Sequence, residues 1–398
     1  MDPLWKPFEI TNIKDPYPMY KVLRETAPVY KAQSGDWIIT RYEDIKSILK
    51  DTSFRNGNRV DWLKKGIIQY ADKWTVFENI LDSIQPFLVF QNPPRHTLLR
   101  KLISQAWDQR EVDEIINDNL NSLWQNIDPE EFDLVKQIAQ PLPSMTMGRI
   151  LGLPAEDFAY LEKLSHEMIK AFDLYLSYRN LLIVEKIAKE FTLYFEKIAK
   201  QKENNPDSSL LSKLIQLNKK DKAITPQELI SNCFFLFISG EETTASLISF
   251  SLLHLTTENK YPDIAEDSSL LTSSIEELLR FDTPAQLVAR TATKDTVIND
   301  TKIMEGDSLT ICLGSANRDP SQFINPDQLM LDRTPNKHLS FSFGAHYCLG
   351  DWLAKKELYH TLLAFLKKYK KLEVVGKPGW RENLSVRSLT MLNMKAYS

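Results

Sequence analysis

The ten residues FSFGAHYCLG (341–350) place Cys348 between two glycines in a chain of 398 residues that contains only three cysteines. The residues that follow, DWLAKKELYHTLLAFLKKY (351–369), have helical periodicity, so Cys348 is expected at the N-terminus of a helix. Backbone N–H groups and the positive end of the helix dipole stabilise a thiolate at such a position. The pattern therefore favours a charged sulfur.

Cys348 has three interpretations at this point: a buried structural cysteine, a catalytic thiol or a metal ligand. A nucleophilic thiol needs a partner base, and His346 lies two residues away in the same turn. Gly344 and Gly350 suit a loop that passes close to a flat group and leaves room for N–H groups to point at the sulfur. These residues alone leave all three roles open.

The composition predicts a globular protein dominated by helices, because 43% of the residues are hydrophobic, 26% are charged and only 12 are glycine. The length would allow two or three domains, but no linker divides the sequence. Residues 1–398 are therefore expected to form a single domain, mainly α with small β-sheets (α+β).

Charge and cysteine usage bear on the partners and the location of the protein. A net charge of -4 gives no sign of nucleic-acid binding, and no window of about 18 apolar residues predicts a membrane span. Cys233, Cys312 and Cys348 are far apart and form no CxxC motif, which indicates neither a disulfide framework nor a structural zinc site. The expectation is a cytoplasmic protein that binds neither nucleic acid nor membrane.

The most informative helix begins at the sequence TPQE. Thr225 can cap this helix, Pro226 suits its first position, and Glu228 completes a capping box. The helical pattern continues to about Thr257, which gives a rod on the order of 45 Å long. Because LISNCFFLFI (229–238) is apolar on nearly every side, the rod is predicted to run through the core.

The sequence SGEETTAS (239–246) then places Glu241 and Glu242, with two threonines, in the middle of this apolar helix. Buried carboxylates are costly unless they are paired or face a cavity. One interpretation is that they mark the point where the helix reaches the surface. The other is a polar notch that faces a cofactor pocket, and both stay open here.

Two other pairs of residues are ambiguous when taken one at a time. Glu277 and Arg280 lie three apart on one helix face, and a lone pair of this kind is usually a surface ion pair. His96 and Arg100 lie four apart and could be an ordinary exposed basic pair. Together with the distant Arg290 and His338, they could instead converge on an anionic ligand, since charge-assisted hydrogen bonds from Arg and His recognise carboxylates and phosphates.

At this point the chain resembles the cytochrome P450 haem-thiolate monooxygenases of the soluble prokaryotic type, whose haem loop reads FxxGx[HR]xCxG. Residues 341–350 match this loop at every fixed position. Four further matches follow the chain order of the family and together span nearly the whole sequence: PPxHxxxR at 93–100, [AG]GxxT at 239–243 except for Ser239, ExxR at 277–280, and FINPDQLMLDR at 323–333.

The resemblance implies haem b (iron protoporphyrin IX) as the cofactor and Cys348 as the thiolate ligand of its iron. It implies that Glu242 and Thr243 are the catalytic acid and alcohol that manage oxygen and protons. It assigns the ExxR pair, with Arg333, to a structural ion-pair cluster. The other cofactor-binding residues that it implies, as propionate partners or as positions beside the haem, are His96, Arg100, Gly240, Arg290, His338, Phe341, Gly344, His346 and Gly350.

The same resemblance implies a single-domain P450 fold with the long central helix over the haem. It implies a monooxygenase that inserts one oxygen atom of O2 into a small apolar organic substrate, with electrons from a separate ferredoxin-type protein. A peroxide-dependent peroxygenase and a non-catalytic haem sensor or carrier are the alternatives. Pocket walls are expected from residues 85–90, 284–289 and 388–392 and from Phe235 and Ile238, although each of these could be plain core.

Three features of the sequence depart from the family pattern or extend it. Ser239 stands where alanine or glycine is usual, and Asp351 places a charge near the proposed thiolate, where it could lower the reduction potential. Six lysines between positions 355 and 371 could form a basic face for an acidic ferredoxin, or a solvated helix face.

Overall fold

Helices carry most of the chain, as its low glycine content predicts. The computed structural model describes residues 2–57, 77–173 and 176–398. These residues form two compact units: unit 1 contains Met1–Arg55, Ser122–Ala139 and Thr243–Ser398, and unit 2 contains Asn56–Asn121 and Gln140–Glu242.

Unit 1 combines helices with small sheets. Its helices are Ile10–Lys14, Tyr17–Thr26, Tyr42–Lys50, Tyr261–Glu266, Leu271–Phe281, Leu313–Ala316 and Asp351–Lys368. Its largest sheet has five strands in the order Val29–Lys31, Trp37–Ile39, Ser308–Cys312, Leu287–Ala292 and Phe54–Arg55. The smaller sheets are Phe132–Asp133, Asn393–Tyr397 and Lys371–Val374; Thr296–Ile298 with Thr301–Ile303; and Gly379–Trp380 with Leu389–Met391.

The five-stranded sheet is held by one face of buried aliphatic residues. Trp37–Ile39 pairs in parallel with Ser308–Cys312, so that Ile39 lies opposite Ile311, and the other three pairings are antiparallel. Ile39 and Ile311 are fully buried and belong to one core cluster with residues of the helix Tyr42–Lys50. The sequence DWIITRYEDIKSILKD therefore forms the strand and helix that its pattern predicts.

Unit 2 is helical. Its helices are Glu78–Ile84, Arg95–Ala106, Val112–Trp124, Pro141–Leu151, Phe158–Met168, Tyr178–Asn204, Leu210–Asp221 and the first half of Pro226–Thr257. The polar sequences KQKENNPDSS (200–209) and NKKDKAITP (218–226), whose composition is typical of breaks between helices, contain the ends of the helices Tyr178–Asn204 and Leu210–Asp221. Short 3-10 turns occur at Leu88–Phe90, Ala155–Asp157 and Ile169–Phe172.

The helix Pro226–Thr257, hereafter the central helix, has the capping box that its sequence predicts. The Glu228 backbone N–H donates to the Thr225 hydroxyl at 3.2 Å, and the Thr225 N–H donates to the Glu228 carboxylate at 2.8 Å. The helix continues for 32 residues to Thr257. Among the residues described above, no helix is long and apolar enough to cross a membrane.

Candidate active site

The cysteine loop (341–350) lies in unit 1 and leads directly into the helix Asp351–Lys368. The Cys348 backbone N–H donates to the Phe341 carbonyl at 2.9 Å, which closes the loop on itself. Cys348 is exposed at the N-terminal end of that helix, where helix N–H groups favour an anionic sulfur. A buried structural cysteine is therefore excluded for this position.

The other two cysteines contrast with Cys348. Cys233 and Cys312 are both fully buried, and burial raises the pKa of Cys233 to about 12 and raises that of Cys312 further still. Both thiols are thus held in the neutral form, which neither attacks nor binds a metal well. Of the three cysteines in the chain, only Cys348 is exposed to a ligand that approaches from outside.

Gly344 is required by the backbone of the cysteine loop. Its φ is +73°, and a Cβ at this position would lie 2.6 Å from the carbonyl oxygen of Leu49. Any other residue would meet both left-handed backbone strain and a collision with backbone. The loop therefore packs against the end of the helix Tyr42–Lys50, which fixes the position of the residues around the thiol.

Glu277 and Arg280 form a fully buried ion pair, with two hydrogen bonds of 2.7 and 2.8 Å. Arg333 donates to the same carboxylate at 2.9 Å, so the structure brings together the three residues assigned to a structural cluster. Arg280 also donates to the backbone carbonyls of Asn317 and Pro326. None of the three faces solvent, which excludes a surface ion pair.

This cluster is linked to the start of the cysteine loop through Asn317. The Asn317 side chain accepts a hydrogen bond from the Leu339 N–H at 2.7 Å and donates to the Ser340 hydroxyl at 2.8 Å. Ser340 in turn donates to the Leu279 carbonyl at 2.7 Å. Through Asn317, the buried ion pair therefore supports the residues that lead into the cysteine loop.

His338 lies beside the cysteine loop, but protein groups contact both of its ring nitrogens. Its Nδ1 accepts a hydrogen bond from the Ser340 N–H at 3.2 Å, and its Nε2 lies 2.9 Å from the Glu276 carboxylate. Lys355 also binds Glu276, at 2.7 Å. Burial alone would raise the pKa of Glu276, but the hydrogen bonds from His338 and Lys355 outweigh it and lower that pKa to about 2.

Two consequences follow for the predicted roles of these residues. His338 can donate to a propionate only if its ring moves away from Glu276, so its predicted role stays a prediction. Lys355 is paired with Glu276, and its ammonium lies 5.3 Å from the centre of the Phe341 ring. These contacts hold the cysteine loop in place more than they contribute to a basic surface.

Arg290, His96 and Arg100 are the other predicted propionate partners. Arg290, in unit 1, is 5% exposed, and burial lowers its pKa to about 10. An anion beside this guanidinium would offset the cost of its burial. In unit 2, burial and then the nearby Arg100 lower the pKa of His96, which keeps its ring neutral and able to donate one hydrogen bond.

The central helix presents one accessible stripe along an otherwise buried surface. Phe235, Ser239 and Thr243 follow each other at intervals of four residues, and they are partly exposed together with Gly240. Most of the side chains around them are buried, and Ile238 is 0% exposed. A partly exposed stripe in a core helix is what a ligand-facing surface requires, and Ile238 belongs to the core instead.

Glu241 and Glu242 are buried, at 0% and 2% exposure, so they do not mark a point where the helix reaches the surface. His166, on the helix Phe158–Met168, lies between them: its Nε2 is 3.0 Å from Glu241 and 3.5 Å from Glu242. This contact was not predicted from the sequence. The requirement that buried carboxylates be paired was the available signal, but it does not name the partner.

The donor chemistry of unit 1 fits a haem iron. An exposed thiol at a helix N-terminus offers a soft anionic ligand, and the loop around it is built on a glycine whose Cβ would collide with backbone. A buried arginine whose pKa is lowered by burial gains from a ligand carboxylate. These residues are compatible with a porphyrin that carries propionates.

Comparisons with known proteins agree with this fit. The profile of the family described as Cytochrome P450 matches residues 256–390. The biotin biosynthesis cytochrome P450 of Bacillus subtilis is 32% identical over 91% of each chain, and the polyketide biosynthesis cytochrome P450 PksS of the same organism is 30% identical over 95% of each chain.

A solved structure extends the agreement to three dimensions. The crystal structure of P450BioI in complex with an acyl carrier protein that carries hexadec-9Z-enoic acid matches with a TM-score of 0.87 at 30% identity. The match covers 97% of this chain and 100% of that one. The mainly helical fold with small sheets that the sequence predicts is thereby confirmed.

Proposed function

This chain belongs to the cytochrome P450 family, and from that membership we propose that Cys348 binds the iron of its haem and that Glu242 and Thr243 handle protons during turnover. The family uses haem b, O2, an organic substrate and a redox partner, and its members of this type are monooxygenases. The observation that carries the proposal is the exposed Cys348 at a helix N-terminus, in contrast with two buried cysteines.

Bound haem supplies oxygen activation, and the residues of the chain supply ligation, position and protons. The helix N-terminus holds Cys348 as a thiolate, and Gly344 lets the loop reach its position. Arg290, Arg100, His96 and His338 would orient the propionates through charge-assisted hydrogen bonds. Phe341, His346, Gly350 and Gly240 would line the cofactor and exclude water from it.

The proton role rests on the partly exposed hydroxyl of Thr243 and the adjacent buried carboxylate of Glu242. With haem bound, the Thr243 hydroxyl would hold a proton by hydrogen bonding on the cofactor side of the helix, and the Glu242 carboxyl next to it in sequence would replace that proton after it is used. The acid and alcohol argue against a peroxygenase, because peroxide already carries the two protons and two electrons that O2 must take up from outside. Turnover with peroxide and no reductant would revive that alternative.

We propose a ferredoxin-type donor on the face that carries Lys367 and Lys370, which are exposed near the end of the helix Asp351–Lys368. Attraction between opposite charges raises the rate of association and weakens with salt. Changing both lysines to glutamate is expected to raise the KM for reduced ferredoxin with little change in kcat at saturation. A KM that is unchanged at low salt would place the donor elsewhere.

For the substrate, we propose an elongated apolar acyl chain. In unit 2, the Phe235 ring is 5.0 Å from that of Phe87, and the rings of Phe90 and Phe172 stack at 5.8 Å. Phe87 is fully buried, whereas the other three are partly exposed, so they offer an apolar surface with little polar specificity. The solved relative P450BioI, which was crystallised with an acyl carrier protein that carries hexadec-9Z-enoic acid, points in the same direction.

The substrate class is tested by the absorption spectrum of the haem protein during titration with hexadec-9Z-enoic acid and with a rigid steroid such as testosterone. The proposal expects a spin-state change with the fatty acid at a lower concentration than with the steroid. A preference for the steroid would reject the acyl class.

The monooxygenase activity is tested by measuring the consumption of reductant and of O2 with a ligand found in that titration. An oxygenated product whose added oxygen comes from O2 is expected. Ligand binding without any consumption of reductant would indicate a haem sensor or carrier.

We further propose that residues 1–398 act as one P450 domain. A cytoplasmic location stays a prediction from cysteine usage.

A further inference from the structure

His166 connects the two buried carboxylates of the central helix with the outside of unit 2. Its Nε2 is 3.0 Å from Glu241 and 3.5 Å from Glu242, so a single ring nitrogen faces both anions. The exposed fractions of the three side chains are 17% for His166, 0% for Glu241 and 2% for Glu242. Of these three, the imidazole is the side chain that solvent reaches.

A proton that arrives at Glu242 needs a carrier, because its carboxylate is almost out of contact with solvent. Imidazole is suited to this step, since it accepts a proton on one nitrogen while it donates from the other, close to neutral pH. The shorter contact to Glu241 holds the ring in place, and the longer one to Glu242 leaves room for a small rotation.

From this geometry we infer that His166 takes protons from solvent and passes them to Glu242, as a positioning and proton-supplying residue for the monooxygenase reaction. A solvent proton binds Nδ1 and the Nε2 proton moves to the Glu242 carboxylate, which leaves a neutral ring with its proton on Nδ1. Loss of that proton to solvent and protonation of Nε2, or a flip of the ring, restores the starting tautomer before the next transfer. No electron moves, and each cycle transfers one proton. The inference rests on the proposed function, because it requires Glu242 to be the acid of the active site.

Other charged groups near the helix Phe158–Met168 either have partners of their own or add to the cluster of His166, Glu241 and Glu242. Glu162, one turn before His166, belongs to the cluster: burial, and then Glu241, raise its pKa to about 7. On the packed helix Tyr178–Asn204, Glu190 accepts a hydrogen bond from Tyr160. On the packed helix Pro141–Leu151, Arg149 lies 3.7 Å from Asp118.

A divalent cation is the competing occupant, because ligand atoms of His166, Glu241 and Glu242 all lie within 4.8 Å of one another. The observations favour protons. The Nε2 atom of His166 is within hydrogen-bond distance of Glu241 at 3.0 Å and in ion-pair contact with Glu242 at 3.5 Å. Burial and the charge of Glu241 also raise the pKa of the neighbouring Glu162, so that this carboxyl favours its protonated form.

The activity test compares His166→Gln with wild type in the holoenzyme, with product formed per O2 consumed as the readout. Glutamine keeps an N–H donor for Glu241 but cannot carry a proton. The inference expects the yield at pH 8 to fall by about tenfold, less than for a general acid at the reaction centre, and to recover towards pH 6, where solvent protons are more abundant. The control Glu167→Gln, next to His166 but paired with Lys170, is expected to behave as wild type.

A second readout does not depend on turnover. The measurement is an NMR titration of protein with labelled histidines, held in the ferrous carbonyl form. Of the six histidine signals, the one that disappears in His166→Gln belongs to His166. His166→Asn serves for this assignment if His166→Gln folds poorly. Its titration midpoint is expected to move to lower pH in Glu242→Gln, because an anion that stabilises the imidazolium has been removed.

Three results would overturn the inference. The first is a product yield of His166→Gln equal to that of wild type at every pH, and the second is a His166 titration midpoint that does not change in Glu242→Gln. The third is a wild-type product yield that changes after dialysis against EDTA. The last would identify a cation site. Failure of the proposed function is distinct, since in that case Glu242→Gln itself leaves the yield unchanged.

Discussion

Arg280 donates two hydrogen bonds, of 2.7 and 2.8 Å, to the carboxylate of Glu277, and neither side chain is exposed to solvent. Arg280 also donates to the backbone carbonyl of Asn317, and the Asn317 side chain accepts a hydrogen bond from Leu339, just before the cysteine loop. Loss of the Glu277 charge leaves two arginines, Arg280 and Arg333, without their shared counter-ion. The free-energy cost of those unpaired charges is therefore expected to destabilise both the fold and the loop that holds Cys348.

Replacing Glu277 with glutamine is expected to destabilise the protein by about 3 to 5 kcal/mol, the usual cost of breaking a buried ion pair. Denaturant unfolding measures this, and loss of bound haem on gel filtration is a second readout. The matched control is Lys302→Gln in the exposed pair with Asp295, where the distance is 3.3 Å and screening by solvent leaves little change in stability to expect. Equal effects in the two variants would refute a structural role for the buried pair.

Gly344→Ala is expected to destabilise the cysteine loop and weaken haem retention. A left-handed backbone costs a non-glycine residue roughly 1 to 2 kcal/mol, and the new Cβ would also meet the Leu49 carbonyl at 2.6 Å. Gly306→Ala separates the two causes, because Gly306 has a φ of +85° and open space around it. If both variants lose the same stability and keep the same haem content, the collision at Gly344 has no effect.

Thr243→Ala is expected to uncouple oxygen consumption from product formation, because the hydroxyl that hands on protons is lost. Product per O2 should fall by about a hundredfold, with hydrogen peroxide released in its place. Thr257→Ala, at the far end of the same helix where the hydroxyl bonds only to the Leu253 carbonyl in the contacts described, serves as the control. Unchanged coupling in Thr243→Ala would remove Thr243 from the catalytic residues.

Stability is expected to depend on pH through Glu162. Burial, followed by the charge of Glu241, raises the pKa of this carboxyl from 4.5 to about 7. Between these two pH values the folded protein binds more protons than the unfolded chain, so this group makes the free energy of unfolding fall as pH rises. Glu162→Gln should therefore gain more stability relative to wild type at pH 8 than at pH 5. An equal difference at both pH values would show that the carboxyl ionises normally.

Much of this architecture could be predicted from local sequence. The capping box at Thr225 and Glu228, the helix that follows Gly350, and the strand and helix around Trp37 and Tyr42 are all where their patterns place them. These features depend on residues a few positions apart, for which capping and periodicity are sufficient.

The long-range pairings could not be predicted in the same way. His166 and Glu241 are 75 residues apart, and Glu276 and His338 are 62 apart. A buried carboxylate requires a partner, but which imidazole supplies it depends on how helices pack. For the same reason the sequence assigned Lys355 to a surface face, whereas the fold pairs its ammonium with Glu276.

The most direct test of the central claim is the difference spectrum of the reduced, haem-loaded protein with carbon monoxide. Ligation by Cys348 predicts the absorption maximum of a thiolate-bound haem, retained in Cys233→Ala and Cys312→Ala and lost in Cys348→Ala. A wild-type spectrum like that of an imidazole-ligated globin, or a thiolate spectrum that survives in Cys348→Ala, would contradict the assignment.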